Sequence, residues 1–129
     1  MQPSPQHEEL IAKCNLGVLA TLRRDGIPQL TPVNYAYKDG RFLISTTRDR
    51  AKYPNVRRNE NVSLCIVDAA GRPYVTVYGK ARVEEEGIEA GTAEIFRRMS
   101  DRPVPDNFGE LLREQRRVLI VMTPERFVP

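Results

Sequence analysis

Short apolar or alternating runs, separated by tight turns, dominate the chain as far as residue 83, and helical spacing is confined to a few stretches. Ser4 followed by Pro5, with Glu8 and Glu9 behind them, reads as a helix start. Leu10, Ile11 and Cys14 give that helix a narrow apolar stripe, which Asn15 closes. Gly17 to Leu22 is a short apolar strand. Asp25-Gly26 signals a hairpin, and Pro28 to Tyr37 returns as the second strand, with Pro32 predicting an edge, bulge or bend inside it. Lys38-Asp39-Gly40 turns the chain into a third strand, Arg41 to Thr46. A basic helix is expected over roughly 49–58, with Pro54 near enough to its start to be tolerated or to kink it. Val62 to Val67 is nearly all apolar, which predicts a fourth strand buried on both faces. Tyr74 to Val83 alternates over a long fifth strand, and Gly79 within it predicts a bulge or a barrel corner. Residues 88–100 and 106–115 read as helices joined by a proline-bearing linker. Arg117 to Thr123 reads as the last strand and Pro124 to Pro129 as a tail.

Six strand-like runs with tight early turns predict a mainly β protein with flanking helices, a six-stranded antiparallel barrel whose ends the helices plug. A chain of 129 residues makes one domain, residues 1–129. Hydrophobic content of 40% and charged content of 29% are those of a soluble globular protein. No run approaches the ~18 apolar residues of a membrane span, and the polar Met1 to Pro5 has no signal-peptide core. Cys14 and Cys65 sit in apolar contexts without metal-ligand spacing, as buried thiols of a reducing cytosol do. The expectation is a cytoplasmic protein with no membrane span and no metal site.

Charge changes the picture at one place. Across residues 48–58, Arg48, Arg50, Lys52, Arg57 and Arg58 stand against Asp49 alone, five positive side chains to one negative, net +4, whereas the whole chain carries only +3. The segment follows Phe42-Leu43-Ile44 and the hydroxyl residues Ser45, Thr46 and Thr47. Hydroxyls and free backbone amides at a strand end, opening onto a basic helix start, suit an anion such as a phosphate. The competing reading is a solvated basic helix face. By distance along the chain, Arg57 and Arg58 are expected to meet only solvent or an anionic tail.

The residues also resemble a known family. Gly17 to Leu22, Asp25 to Gln29 and Pro32 to Tyr35 follow its opening strands; Arg50-Ala51-Lys52 and Asn55 to Asn59 follow its phosphate segment; Tyr74 to Ala81, Arg117 to Ile120 and Thr123 to Arg126 follow its later strands. The family is the pyridoxamine-phosphate-oxidase-like FMN-binding split barrel. Within it the chain is most similar to the small deazaflavin branch, reductases that use coenzyme F420. The resemblance covers roughly residues 10–128 and implies a split-barrel homodimer with two cofactor sites at the interface. Ser45, Thr46, Arg50, Ala51 and Lys52 would hold the cofactor phosphate. Thr31, Pro32, Val33 and Asn34 would line the ring edge, and Tyr74 and Thr76 would reach the ring or ribityl chain from the partner subunit. True pyridoxamine-phosphate oxidases carry an arginine and a lysine on the second strand and an arginine and a histidine near the C-terminus. Here the strand reads Leu30-Thr31-Pro32-Val33-Asn34-Tyr35, and the single histidine is His7.

No Ser-His-Asp set, paired carboxylates, glycine-rich phosphate loop or HExxH motif is present, so no catalytic residue is assigned. A redox enzyme needs none, because a cofactor carries the chemistry. The resemblance therefore implies hydride transfer from a deazaflavin to an activated double bond of a small conjugated or heteroaromatic substrate. The alternatives are an FMN-binding oxidoreductase of the same fold, or a non-catalytic flavin or haem carrier or sensor. A nucleic-acid-binding barrel would interleave exposed aromatics with basic residues on one sheet face, and here the charge is clustered on one helix.

Overall fold

The computed structural model describes residues 2–129; Met1, the first residue of the polar N-terminal stretch, lies outside them. The elements run α1 (Pro5–Lys13), β1 (Leu16–Leu22), β2 (Pro28–Lys38), β3 (Arg41–Thr47), α2 (Lys52–Arg58), β4 (Asn61–Val67), β5 (Tyr74–Glu84), α3 (Glu89–Met99), α4 (Phe108–Glu114) and β6 (Arg117–Val128). Ser4 caps α1, its hydroxyl accepting the His7 amide at 3.2 Å. The strands form one antiparallel barrel in the order β1-β2-β3-β6-β5-β4, closed by β1 against β4.

Alternation along the strands sends Leu19, Tyr35, Phe42, Ile44, Leu64, Ile66, Val75, Val77, Ile120 and Met122 into the barrel, where all are fully buried. A second apolar layer lies outside it. Ile88, Ala93 and Ile95 of the α3 region and Phe108 and Leu112 of α4 pack on Ala36, Leu119 and Val121. Arg98 of α3 ties this layer to α1, donating to the carbonyls of Ile11, Ala12, Cys14 and Tyr35. The Tyr35 hydroxyl also donates to Ile11 O at 2.7 Å and Cys14 O at 2.8 Å.

Four expectations change. β4 is not buried on both faces: Val62, Leu64 and Ile66 point inward, while Ser63 and Cys65 are half-buried and Val67 is exposed. The strand with both faces covered is β6, buried from Val118 to Met122 between the barrel interior and the helices. Residues 124–128 are not a tail but continue β6 along β5. The register shifts where Gly79 faces Pro124 and Tyr78 faces Arg126, so the extra residue, Glu125, belongs to β6 and not to the glycine-bearing strand. Gly79 is needed for close approach, because a Cβ there would lie 2.3 Å from the Thr123 carbonyl oxygen. The basic helix begins only at Lys52, which puts Pro54 in the first turn, where a missing amide costs no helical hydrogen bond.

β2 and β3 pair only from Tyr35–Lys38 to Arg41–Ile44. Beyond that, β3 pairs with β6 and β2 pairs with β1 alone, so the two strands part. Tyr35 donates its amide to Asn15 on the β1 side. By the two-residue alternation of a strand, the nitrogens of Pro28 and Pro32 face the β3 side, where a proline leaves no donor unmet. This parting splits the barrel and opens its wall beneath α3 and α4.

Gly79→Ala is expected to lower the unfolding free energy by about 1–3 kcal/mol, as overpacking against a fixed backbone does. Urea unfolding checks it, and an unchanged midpoint would show that β6 relaxes freely at its bulge.

Candidate functional site

The split leads into a cavity of about 530 Å³. One wall is the unzipped part of β2, Thr31 to Asn34, and the facing wall is the end of β3, Ser45, Thr46 and Thr47. Arg50 and Lys52 enter from the turn and start of α2, and Arg117 from the start of β6. Thr92, Ile95, Phe96 and Met99 of α3, Pro105, Phe108, Leu111 and Leu112 of the α4 region, and Gln115 complete it. One end therefore carries hydroxyls and three cations, the rest of the wall is mostly apolar, and among the described residues no carboxylate lines it.

Lys52 is only 7% exposed. Burial lowers the pKa of its amine, and the charges of Arg50 and Arg117 push it the same way. Among the described residues no carboxylate oxygen lies within 4 Å of Lys52, Arg50 or Arg117. Asp49, the one acid of the basic segment, accepts a hydrogen bond from the Thr47 hydroxyl, which is the first cause of its lowered pKa. Arg117 reaches Ser45 Oγ at 3.5 Å and donates from Nε to Gln115 Oε1 at 3.0 Å. Cations gathered without a carboxylate partner beside three hydroxyls have the chemistry to hold an anion.

Asn55 holds α2 in place. Its Nδ2 donates to Thr21 Oγ1 at 3.1 Å and Gln29 Oε1 at 3.2 Å, and its Oδ1 accepts from Arg58 at 2.9 Å. Arg58 also donates to the Leu22 carbonyl at 2.8 Å, and Arg57 donates to the Tyr53 hydroxyl at 2.7 Å. Both residues of the outer basic pair are exposed to solvent, as expected, and Arg58 in addition ties the helix to the end of β1.

Of the residues singled out from sequence, Thr31, Pro32, Val33, Asn34, Ser45, Thr46, Arg50 and Lys52 come together on the cavity wall. Ala51 does not line it and lies exposed just before α2. Tyr74 and Thr76 also stand apart from it, on the outer face of β5. Sequence reasoning missed Arg117, whose pairing with Thr47 across the β3–β6 ladder brings it to the site. It also missed the apolar wall, which looked like ordinary helix packing. The only signal for Arg117 was a charge placed directly before an apolar strand.

Residues 3–128 match the family model described as pyridoxamine 5'-phosphate oxidase. Among solved structures, an F420 reductase is 26% identical, with 98% of each chain covered and a TM-score of 0.78. A conserved hypothetical protein from Mycobacterium tuberculosis is 22% identical over 98% of this chain and 83% of its own, with a TM-score of 0.83. The haem storage protein HutZ from Vibrio cholerae is 18% identical over 98% and 92%, with a TM-score of 0.70. The last two show the shared fold alone.

Inorganic phosphate is expected to bind at this end of the cavity, and Lys52→Ala to weaken it about 10–100-fold, the worth of a charged hydrogen bond. Arg57→Ala, whose side chain does not line the cavity, is expected to leave it unchanged; calorimetric titration measures both. The lowered pKa of Lys52 also has a pH signature. Between its folded value and 10.5 the unfolded chain holds the extra proton, so stability rises with pH in that window. Lys52→Met lacks this rise, and denaturant midpoints of both proteins across the window measure it.

Proposed function

The chain belongs to the pyridoxamine 5'-phosphate oxidase family, and on that premise we propose that it is a deazaflavin (coenzyme F420)-dependent reductase. The observation that carries this reading is the division of one cavity into a cationic end without counter-ions and an apolar remainder. That division fits a ring-bearing cofactor with a phosphate. Ser45, Thr46, Arg50, Lys52 and Arg117 would hold the phosphate, and Thr31 to Asn34 would border the ring. When bound, a reduced deazaflavin supplies a hydride to an activated double bond of a small conjugated or heteroaromatic substrate.

The chain's own part is positioning. Arg50 and Arg117 offer forked donors to phosphate oxygens, and Lys52 neutralises charge at close range. Ile95, Phe96, Phe108, Leu111 and Leu112 exclude water from the apolar part, which strengthens each polar contact there. Among the described residues, no histidine, aspartate, glutamate, cysteine or tyrosine lines the cavity, so no side-chain general base is assigned. Tyr35 is committed elsewhere, with its hydroxyl on two carbonyls and its pKa pushed up to about 12 by burial. FMN is the second cofactor reading, because its phosphate needs the same cationic end. A haem carrier fits less well, because His7 lies on α1, its ring stacked at 6.2 Å on Phe127 away from the cavity.

The homodimer belongs to this proposal. The register carries one outward row from Leu30 through Ala20 and Ser63 to Tyr78, and the next from Pro32 through Val18 and Cys65 to Thr76. Leu30 is 66% exposed and Tyr78 47%. An apolar face of this kind calls for a partner, and a second copy seated on it would meet the cavity at Pro32, which belongs to both.

Light scattering at micromolar concentration is expected to give the dimer mass, and Leu30→Asp the monomer mass with weaker cofactor binding. Titration of the purified protein with F420 and with FMN decides the cofactor. Tighter binding of FMN, or a yellow flavin spectrum on purification, would replace the deazaflavin reading.

A further inference from the structure

The chain has four lysines. Lys13, Lys38 and Lys80 are exposed and paired with Asp68, Glu94 and Glu60 at 2.5, 3.1 and 3.6 Å. Lys52 differs on every count. It is buried, it lines a cavity, it has no carboxylate within 4 Å among the described residues, and two guanidinium groups share the same wall. Among the described residues, no carboxylate pairs with an ammonium in that place. The neutral amine keeps its lone pair and needs no counter-ion.

We propose that Lys52 is a covalent capture site for small phosphate-bearing aldehydes, with Arg50 and Arg117 holding the phosphate while the lysine amine adds to the carbonyl carbon. The nitrogen lone pair forms the new C–N bond. The two amine hydrogens leave with the carbonyl oxygen as one water, and the product is an imine. Nothing is oxidised or reduced, so no further reactant is required. The lowered pKa of Lys52, caused first by burial and then by Arg50 and Arg117, raises the fraction of nucleophilic amine at neutral pH. The lysines held by carboxylates have no such advantage, and Lys13 is shifted the other way by Asp68. The capture rests on the anion-binding end of the cavity and not on the identity of the cofactor. It would make phosphate-bearing aldehydes inhibitors that compete with any phosphate ligand of this site.

The test uses the full-length protein and glyceraldehyde 3-phosphate, with borohydride reduction to trap the imine and peptide mass spectrometry to locate it. Glyceraldehyde, which lacks the phosphate, is the matched control. Expected is an adduct at Lys52 formed about 10-fold or more faster than with glyceraldehyde, the gain from one charge-assisted phosphate contact, and suppressed by inorganic phosphate. Lys52→Arg should carry no adduct at that position, and Arg117→Ala should reduce the preference for the phosphorylated aldehyde. Labelling at Lys52 no faster than at Lys13, Lys38 and Lys80, or equal with the two aldehydes, would overturn the proposal. Titrating the same samples with F420 and FMN separates the two readings. Cofactor binding without selective labelling overturns only the capture site, and selective labelling without binding of either cofactor overturns only the reductase.

Discussion

The parting of β2 from β3 beyond Tyr35 and Ile44 is the constraint on which the rest of the molecule depends. A sheet closed along its whole length would leave a barrel filled with side chains and no room for a ligand. Here the ladder stops, and Pro28 and Pro32 stand on the freed edge without amides to satisfy. The open wall has then to be covered, and α3 and α4 cover it with an apolar face that also packs on the outside of β6. β6 is consequently buried on both sides, which explains the unbroken run Val118-Leu119-Ile120-Val121-Met122.

The charge distribution follows from the same opening. Ser45 to Thr47 end β3 at the mouth of the split, and the turn after them carries Arg50 and Lys52 back across it. Arg117 arrives from the far side because β6 starts opposite Thr47. Three cations converge where a buried amine has no counter-ion, and Asn55 holds the helix that positions one of them. Such a cluster is costly for the empty protein and is relieved by an anion. The phosphate site and the reactivity proposed for this cavity thus share one physical origin, and both remain proposals that rest on it.

The apolar outer rows on β1, β2, β4 and β5 have a different origin. A small barrel has two sides to every strand and only one interior. Helices cover the outer face of β2, β3 and β6 where Ala36, Leu119 and Val121 meet them. The rows ending at Tyr78 and Thr76 have no such cover among the described residues. They reach the cavity rim through Pro32, so a second copy placed there would bear directly on the site.

Local rules were enough for much of this. Ser4-Pro5 started a helix, Asp25-Gly26 and Asp39-Gly40 closed hairpins, and the length and alternation of the six runs required an antiparallel barrel, because these signals act within a few residues. The ordered run of motifs pointed to the family, and the excess charge at 48–58 marked the cationic end of the cavity. What the sequence could not supply was anything that depends on which strand lies beside which. That β6 rather than β4 has both faces covered, that residues 124–128 extend a strand past a bulge, and that Arg117 joins Lys52 all depend on contacts between segments far apart in the chain. Periodicity tells which side of a strand is apolar, but not what will cover it. Only the tertiary packing decided that, by placing two helices over the split and leaving one buried lysine without a carboxylate.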